Sequence, residues 1–165
     1  MVDTRTLSGI GAPPGRASGG YTVRVAQRTG RGPKRPVIYV DTSVVLAHLF
    51  AEDRRPPASF WTETLVSSRL LEYELWTRLN ARSATASRAE AAREVIARIS
   101  LLELAPLVLA RALDPFPVSI RTLDALHLAS CQFLRDRGQR VEIASYDYRM
   151  ADAAGALGIP VLDLP

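Results

Sequence analysis

Lysine is nearly missing from this chain of 165 residues. Lys34 is its only example, so the sequence beyond it has no P-loop lysine, no Schiff-base lysine and no lysine to pair with a phosphoaspartate. Cysteine is as scarce. Cys131 stands alone, which excludes an intramolecular disulfide and a cysteine-based metal cluster and points to a reducing cytosol. Charges or prolines interrupt every apolar run well short of the ~18 residues of a membrane span. The N-terminus also lacks the apolar core of a signal peptide. The expectation is a soluble cytoplasmic protein with no membrane attachment, large enough for one domain with its own core.

Positive charge is present but unevenly placed. Residues 1–36 hold seven basic side chains against Asp3, a net of +6, whereas the other 129 hold 14 Arg against 16 acids, a net of −2. A general field for nucleic acid therefore belongs to the tail alone. The tail is rich in Gly, Pro, Ser, Thr and Arg (11-GAPPGRASGG-20, 29-TGRGPKRP-36). Such a composition cannot bury enough surface to offset the entropy of ordering. Residues 1–36 are expected to form a disordered basic extension, or to lie outside the native chain if translation starts at Val37. Intact mass of the natively expressed protein tests the second option.

From Val37 onward the pattern alternates between strands and helices. Strands are expected at 37–40, 65–68, 100–104, 141–145 and 159–164. Helices are expected at 43–52, 58–64, 69–82, 88–99, 106–113, 123–137 and 148–157. Leu71, Leu75 and Leu79 mark one face of 69–82. Ser87 and Glu90 make a capping-box pattern, Thr122 reads as a cap, and Gly138 and Gly158 as stops. Alternation of this kind gives a parallel sheet with helices on both faces, whose ligand site lies beyond the carboxyl ends of the strands.

Four acids are expected at that edge: Asp41 after the first strand, Asp147 after 141–145, and Glu74 and Asp124 in the first turns of 69–82 and 123–137. Each also has an ordinary structural reading, Asp41 and Asp147 as helix caps, Glu74 and Asp124 as partners of the helix dipole. Together, four carboxylates at one edge would repel and raise one another's pKa values. A hard divalent cation such as Mg²⁺ or Mn²⁺ relieves that repulsion and suits phosphodiester chemistry. The helical wheel does not separate Glu74 from Glu72.

The stretches 38-IYVDTSVVLAHL-49, 67-SSRLLEYELWTRL-79, 124-DALHLASCQFL-134 and 144-ASYDYRMADAAGALGIPVLDL-164 together resemble the PIN-domain ribonucleases. They are most similar to the VapC-type toxins of bacterial type II toxin–antitoxin pairs. The resemblance spans residues 37–165 in order. It implies a three-layer α/β/α fold around a central parallel sheet of four to five strands, and Mg²⁺- or Mn²⁺-dependent cleavage of RNA. It also implies inhibition by a cognate VapB-type antitoxin bound near 44–80, and a homodimer. Residue by residue, it implies that Asp41, Glu74, Asp124 and Asp147 are the catalytic metal-binding acids, with Glu74 placed by the S-x5-E frame from Ser68. Thr42 or Ser43 would support them through hydroxyl bonds. The chain departs from the family pattern in its N-terminal extension and in a short segment before Ser67.

Several other residues take quieter roles. His127, one turn after Asp124, reads as core packing or support for that acid, because an oxygen-rich site does not need imidazole. Cys131 reads as a small buried apolar residue. Phe60, Trp61 and Trp76 read as packing in preference to base stacking, and Arg78, Arg82 and Arg149 are candidates for RNA backbone contacts. An Asp-nucleophile phosphatase of the haloacid-dehalogenase type would need a second Asp at position 43, where Ser43 stands, and a downstream lysine. A receiver-like phosphoacceptor fails for want of the same lysine. A catalytically silent PIN-like binding module is the remaining alternative, against which stands the presence of all four acids.

Overall fold

The computed structural model describes residues 35–165. The expectations for 1–36 therefore fall, but for their last two residues, outside what it describes. Four strands, β1 (Val37–Val40), β2 (Leu65–Ser68), β3 (Ser100–Leu102) and β4 (Val141–Ala144), form one parallel sheet in the order β3-β2-β1-β4. Among the described residues six helices surround it: α1 (Thr42–Leu49), α2 (Leu70–Ala81), α3 (Thr85–Ile96), α4 (Pro106–Leu113), α5 (Thr122–Asp136) and α6 (Tyr148–Ala156).

The VIYV of β1 is β-branched and aromatic throughout, as a strand covered on both faces must be. Its side chains alternate between two cores. Ile38 and Val40 pack with Val44, Val45, Leu71, Leu75, Leu79 and Val95 from α1, α2 and α3. Tyr39 packs on the other face with Val108, Leu128, Leu134, Met150 and Ala154 from α4, α5 and α6. The result is the expected three-layer α/β/α fold. Gly138 and Gly158 end α5 and α6 at φ of +75° and +63°, left-handed conformations that suit a residue without a Cβ.

Local differences from the sequence reading have physical causes. The expected strand 159–164 shrinks to a single parallel bridge between Val161 and Ile143, since Pro160 has no N–H to extend a ladder. The segment 58–64 is a 3-10 turn over Ala58–Thr62. Helix α3 begins at Thr85, and the Ser87 hydroxyl bonds the Ala84 carbonyl at 3.2 Å instead of capping the helix. Thr122 is the first residue of α5, with Arg121 at the cap position and no side-chain cap. Glu74 lies in the second turn of α2; the acid of the first turn is Glu72. Among the described residues, no helix is long and apolar enough to cross a membrane.

Candidate active site

β1 delivers Asp41 to the carboxyl edge of the sheet, and its neighbour β4 fixes it there. The Asp41 N–H donates to the Ala144 carbonyl at 2.9 Å, and only 7% of the residue is exposed. Its side chain caps α1 by accepting the Ser43 N–H at 3.3 Å. The Ser43 hydroxyl and, at 2.9 Å, the Ser145 hydroxyl donate to the same atom, Oδ2. Among the described residues no donor meets Oδ1. Capping therefore occupies one oxygen and leaves the other free.

The two serines tie this acid to the loop after β4. The Ser43 hydroxyl accepts the Tyr146 N–H at 2.9 Å, and that of Ser145 accepts the Asp147 N–H at 3.0 Å. Asp147 caps α6 through Oδ1, which accepts the Arg149 N–H at 2.8 Å. Its Oδ2 lies 3.7 Å from Nη1 of Arg121, the residue before α5.

Glu74 reaches the same edge from α2, while Glu72 turns outward to pair with Arg69 at 3.0 Å. Oε2 of Glu74 accepts the Thr42 hydroxyl at 2.5 Å and lies 2.9 Å from His127 Nε2; Oε1 has no donor among the described residues. Burial pushes its pKa up, but hydrogen bonding and charge from His127, the Thr42 hydroxyl and the Arg78 charge outweigh burial and hold it below the ordinary value.

Asp124, in the first turn of α5, is half-buried with no side-chain hydrogen bond among the described residues. Its pKa is raised, first by burial and then by the charges of Asp147 and Asp41. Asp124 thus stands within electrostatic reach of both Asp147 and Asp41.

The structure thus brings all four expected acids to one edge. Among the described residues no group of three or more His, Cys, Asp or Glu side chains is placed, as it stands, to hold a metal ion. The donor set is all oxygen, with a free atom on Asp41 and on Glu74. Such a set fits Mg²⁺ or Mn²⁺, which keep water in their coordination shell, better than it fits zinc.

His127 supports Glu74 and not Asp124, because its ring points toward α2 and β1. Ser145, Arg121 and Tyr39 went unmarked in the sequence. The only available signal was the Ser145-x-Asp147 spacing, typical of a hydroxyl that accepts an N–H two residues on. Phe60 and Trp61 are buried and packed edge to face at 5.1 Å. Cys131 is buried too, and burial pushes its thiol pKa up. Arg82 lies over the Phe50 ring at 4.5 Å.

A parallel α/β domain with a cluster of carboxylates beyond the carboxyl end of its central strand defines the class. Within that class, residues 38–156 match the PIN domain family, and the chain belongs to it. Ribonuclease VapC46 of Mycobacterium tuberculosis is 34% identical over 129 residues, which cover 76% of this chain and 95% of that protein. Ribonuclease VapC35 of the same organism is 26% identical over 131 residues, 76% of this chain and 96% of its own.

Proposed function

We propose that this PIN-domain chain is a Mg²⁺- or Mn²⁺-dependent ribonuclease, the toxin of a VapBC-type toxin–antitoxin pair. The observation that carries the reading is the state of the acids. Among the described residues, Asp41 and Glu74 each commit one oxygen to protein donors and keep the other free, beside an Asp124 whose pKa burial and then the neighbouring aspartates raise. A divalent cation relieves that strain, and both M. tuberculosis relatives carry the name ribonuclease.

Asp41, Glu74, Asp124 and Asp147 would hold the ion. When bound, it supplies an activated water and stabilises charge on the scissile phosphate. Thr42 and His127 orient Glu74, and Ser43 and Ser145 orient Asp41. Arg78, Arg82 and Arg149 are the side chains assigned to the RNA backbone, whose capture by a mildly acidic domain must be local. In-line attack by water leaves a 3′-hydroxyl and a 5′-phosphate.

The cognate VapB-type antitoxin is assigned to the surface of 44–80, where an amphipathic helix can lie in a groove. A homodimer is supported by exposed apolar side chains along α4, the loop after it and the start of α5: Leu107, Leu113, Val118 and Leu123. The cytoplasm is the assigned compartment.

The test is cleavage of RNA by the purified chain with Mg²⁺, with EDTA, and with Asp41→Asn. Cleavage undiminished in EDTA, or equal to wild type in Asp41→Asn, defeats the reading. Mapping 5′ ends of cellular RNA after induced expression names the substrate.

A further inference from the structure

Beneath the acids lies a buried polar chain that runs from β1 through α5 to α2. Tyr39 is fully buried, and His127 is 1% exposed. The Tyr39 oxygen accepts the Ser68 N–H at 3.1 Å and lies 2.9 Å from His127 Nδ1. On the opposite side of the ring, Nε2 lies 2.9 Å from Glu74 Oε2. These partners assign the proton. A carboxylate oxygen only accepts, so the hydrogen between His127 and Glu74 sits on Nε2. In a singly protonated ring Nδ1 is then the acceptor, facing the Tyr39 oxygen at 2.9 Å and the Ser68 hydroxyl at 3.4 Å. The Tyr39 oxygen, already accepting from Ser68, has its one hydroxyl proton left to give there. The hydrogen bonds therefore run in one direction, from Tyr39 to His127 to Glu74.

We infer that His127 is a positioning residue, locked by Tyr39 in its Nε2–H tautomer, which with Thr42 saturates Oε2 of Glu74 and leaves Oε1 as the one oxygen offered to a divalent ion. Two donors on one oxygen turn a carboxylate capable of bidentate coordination into a ligand with one direction. The part concerning the ion rests on the metal-site reading above; the tautomer does not.

The chain has two histidines, His48 and His127, so side-chain ¹⁵N spectra of the metal-free protein resolve the ring nitrogens, with His48→Gln identifying the His127 signals. The expected result is an unprotonated Nδ1 and a protonated Nε2 in His127. The reverse tautomer, or protons on both nitrogens, overturns the inference. Titration calorimetry with Mn²⁺ then reads the consequence. His127→Leu is expected to bind about 10- to 100-fold more weakly than wild type. His127→Gln, whose amide nitrogen can stand where Nε2 stood, is expected to restore most of that loss. Unchanged affinity in His127→Leu, or a loss that Gln does not restore, overturns the positioning role. Failure of the wild type to bind Mn²⁺ overturns the metal reading and the Oε1 assignment with it, while the spectra still decide the tautomer.

Discussion

Replacing Asp41 by asparagine and by alanine separates the two roles this carboxylate fills. Alanine removes the cap on α1, a loss of about 1 kcal/mol. It also removes the acceptor of the Ser43 and Ser145 hydroxyls, at about 1 kcal/mol for each bond. The metal-free protein should therefore lose about 3 kcal/mol, or on the order of 10 °C in Tm for a domain of this size. Asparagine keeps the volume, the cap and one acceptor oxygen, although bonds to a neutral oxygen are roughly half as strong. Against that loss stands relief of the charge that Asp41 exerts on Asp124. Metal-free Asp41→Asn should thus lie within about 1 kcal/mol of wild type. Mn²⁺ reverses the comparison. At 100 times its dissociation constant it should stabilise the wild type by about 2.7 kcal/mol, and the Asn variant should gain little. Thermal melts with and without Mn²⁺, beside RNA cleavage, read all these outcomes. An Asn variant that falls as far as Ala would show that the charge is structural. An Asn variant that keeps the full Mn²⁺ shift would refute Asp41 as a ligand.

The pKa shifts of Asp124 and Glu74 act on stability with opposite signs in the metal-free protein. Asp124 is raised, so the folded state binds more protons than the unfolded one, and stability should fall as pH rises through the window between its ordinary and its raised value. Glu74 is lowered, so its contribution is present above the ordinary carboxylate value and is lost as pH falls through its folded value. Urea midpoints across a pH series should show the decline with rising pH flattened in Asp124→Asn and the loss with falling pH flattened in Glu74→Gln. Leu75 is fully buried between α2 and the sheet, and Leu75→Ala should cost about 2–5 kcal/mol by chemical denaturation. Gly158 sits at φ +63° with no atom within 4 Å of a Cβ built there. Gly158→Ala should therefore cost only the backbone strain, about 1 kcal/mol, read as a small drop in midpoint.

What was legible in the sequence is what depends on local pattern. The apolar VIYV strand, the leucine face of α2 and the helix-stopping glycines all follow from side-chain period and backbone freedom, and each stands where expected. Asp41 and Asp147 were legible twice over, as caps and as acids, because a helix start and a strand end coincide there. Features that depend on distant partners were not legible. The helical wheel could not turn Glu74 inward and Glu72 outward, since the difference lies in Thr42 and His127 waiting across the sheet edge. His127 reads in the sequence as core packing, which its burial bears out, or as support for Asp124, three residues away, because proximity in sequence is all a single helix offers. Its actual partner is fifty-three residues distant. Pro160 removed most of a strand that apolar composition alone favoured.

The strand order has a further consequence. From β1 the chain steps outward to β2 and then β3, and afterwards returns to place β4 on the other side of β1. The order therefore reverses at β1, a topological switch point, where the connections leave in opposite directions and a crevice opens beyond the strand ends. Asp41 stands at the mouth of that crevice because of how the sheet is wound, and Ser145 and Asp147 line it from the loop after the adjacent strand. The ladder from Val37↔Val141 to Val40↔Ala144 acts as the ruler between the two walls. Substitutions in the buried positions of β4, whose side chains touch none of the four acids, should thus reach the spacing of the carboxylates through the backbone ladder, whereas changes at the outer strand β3 should leave it alone.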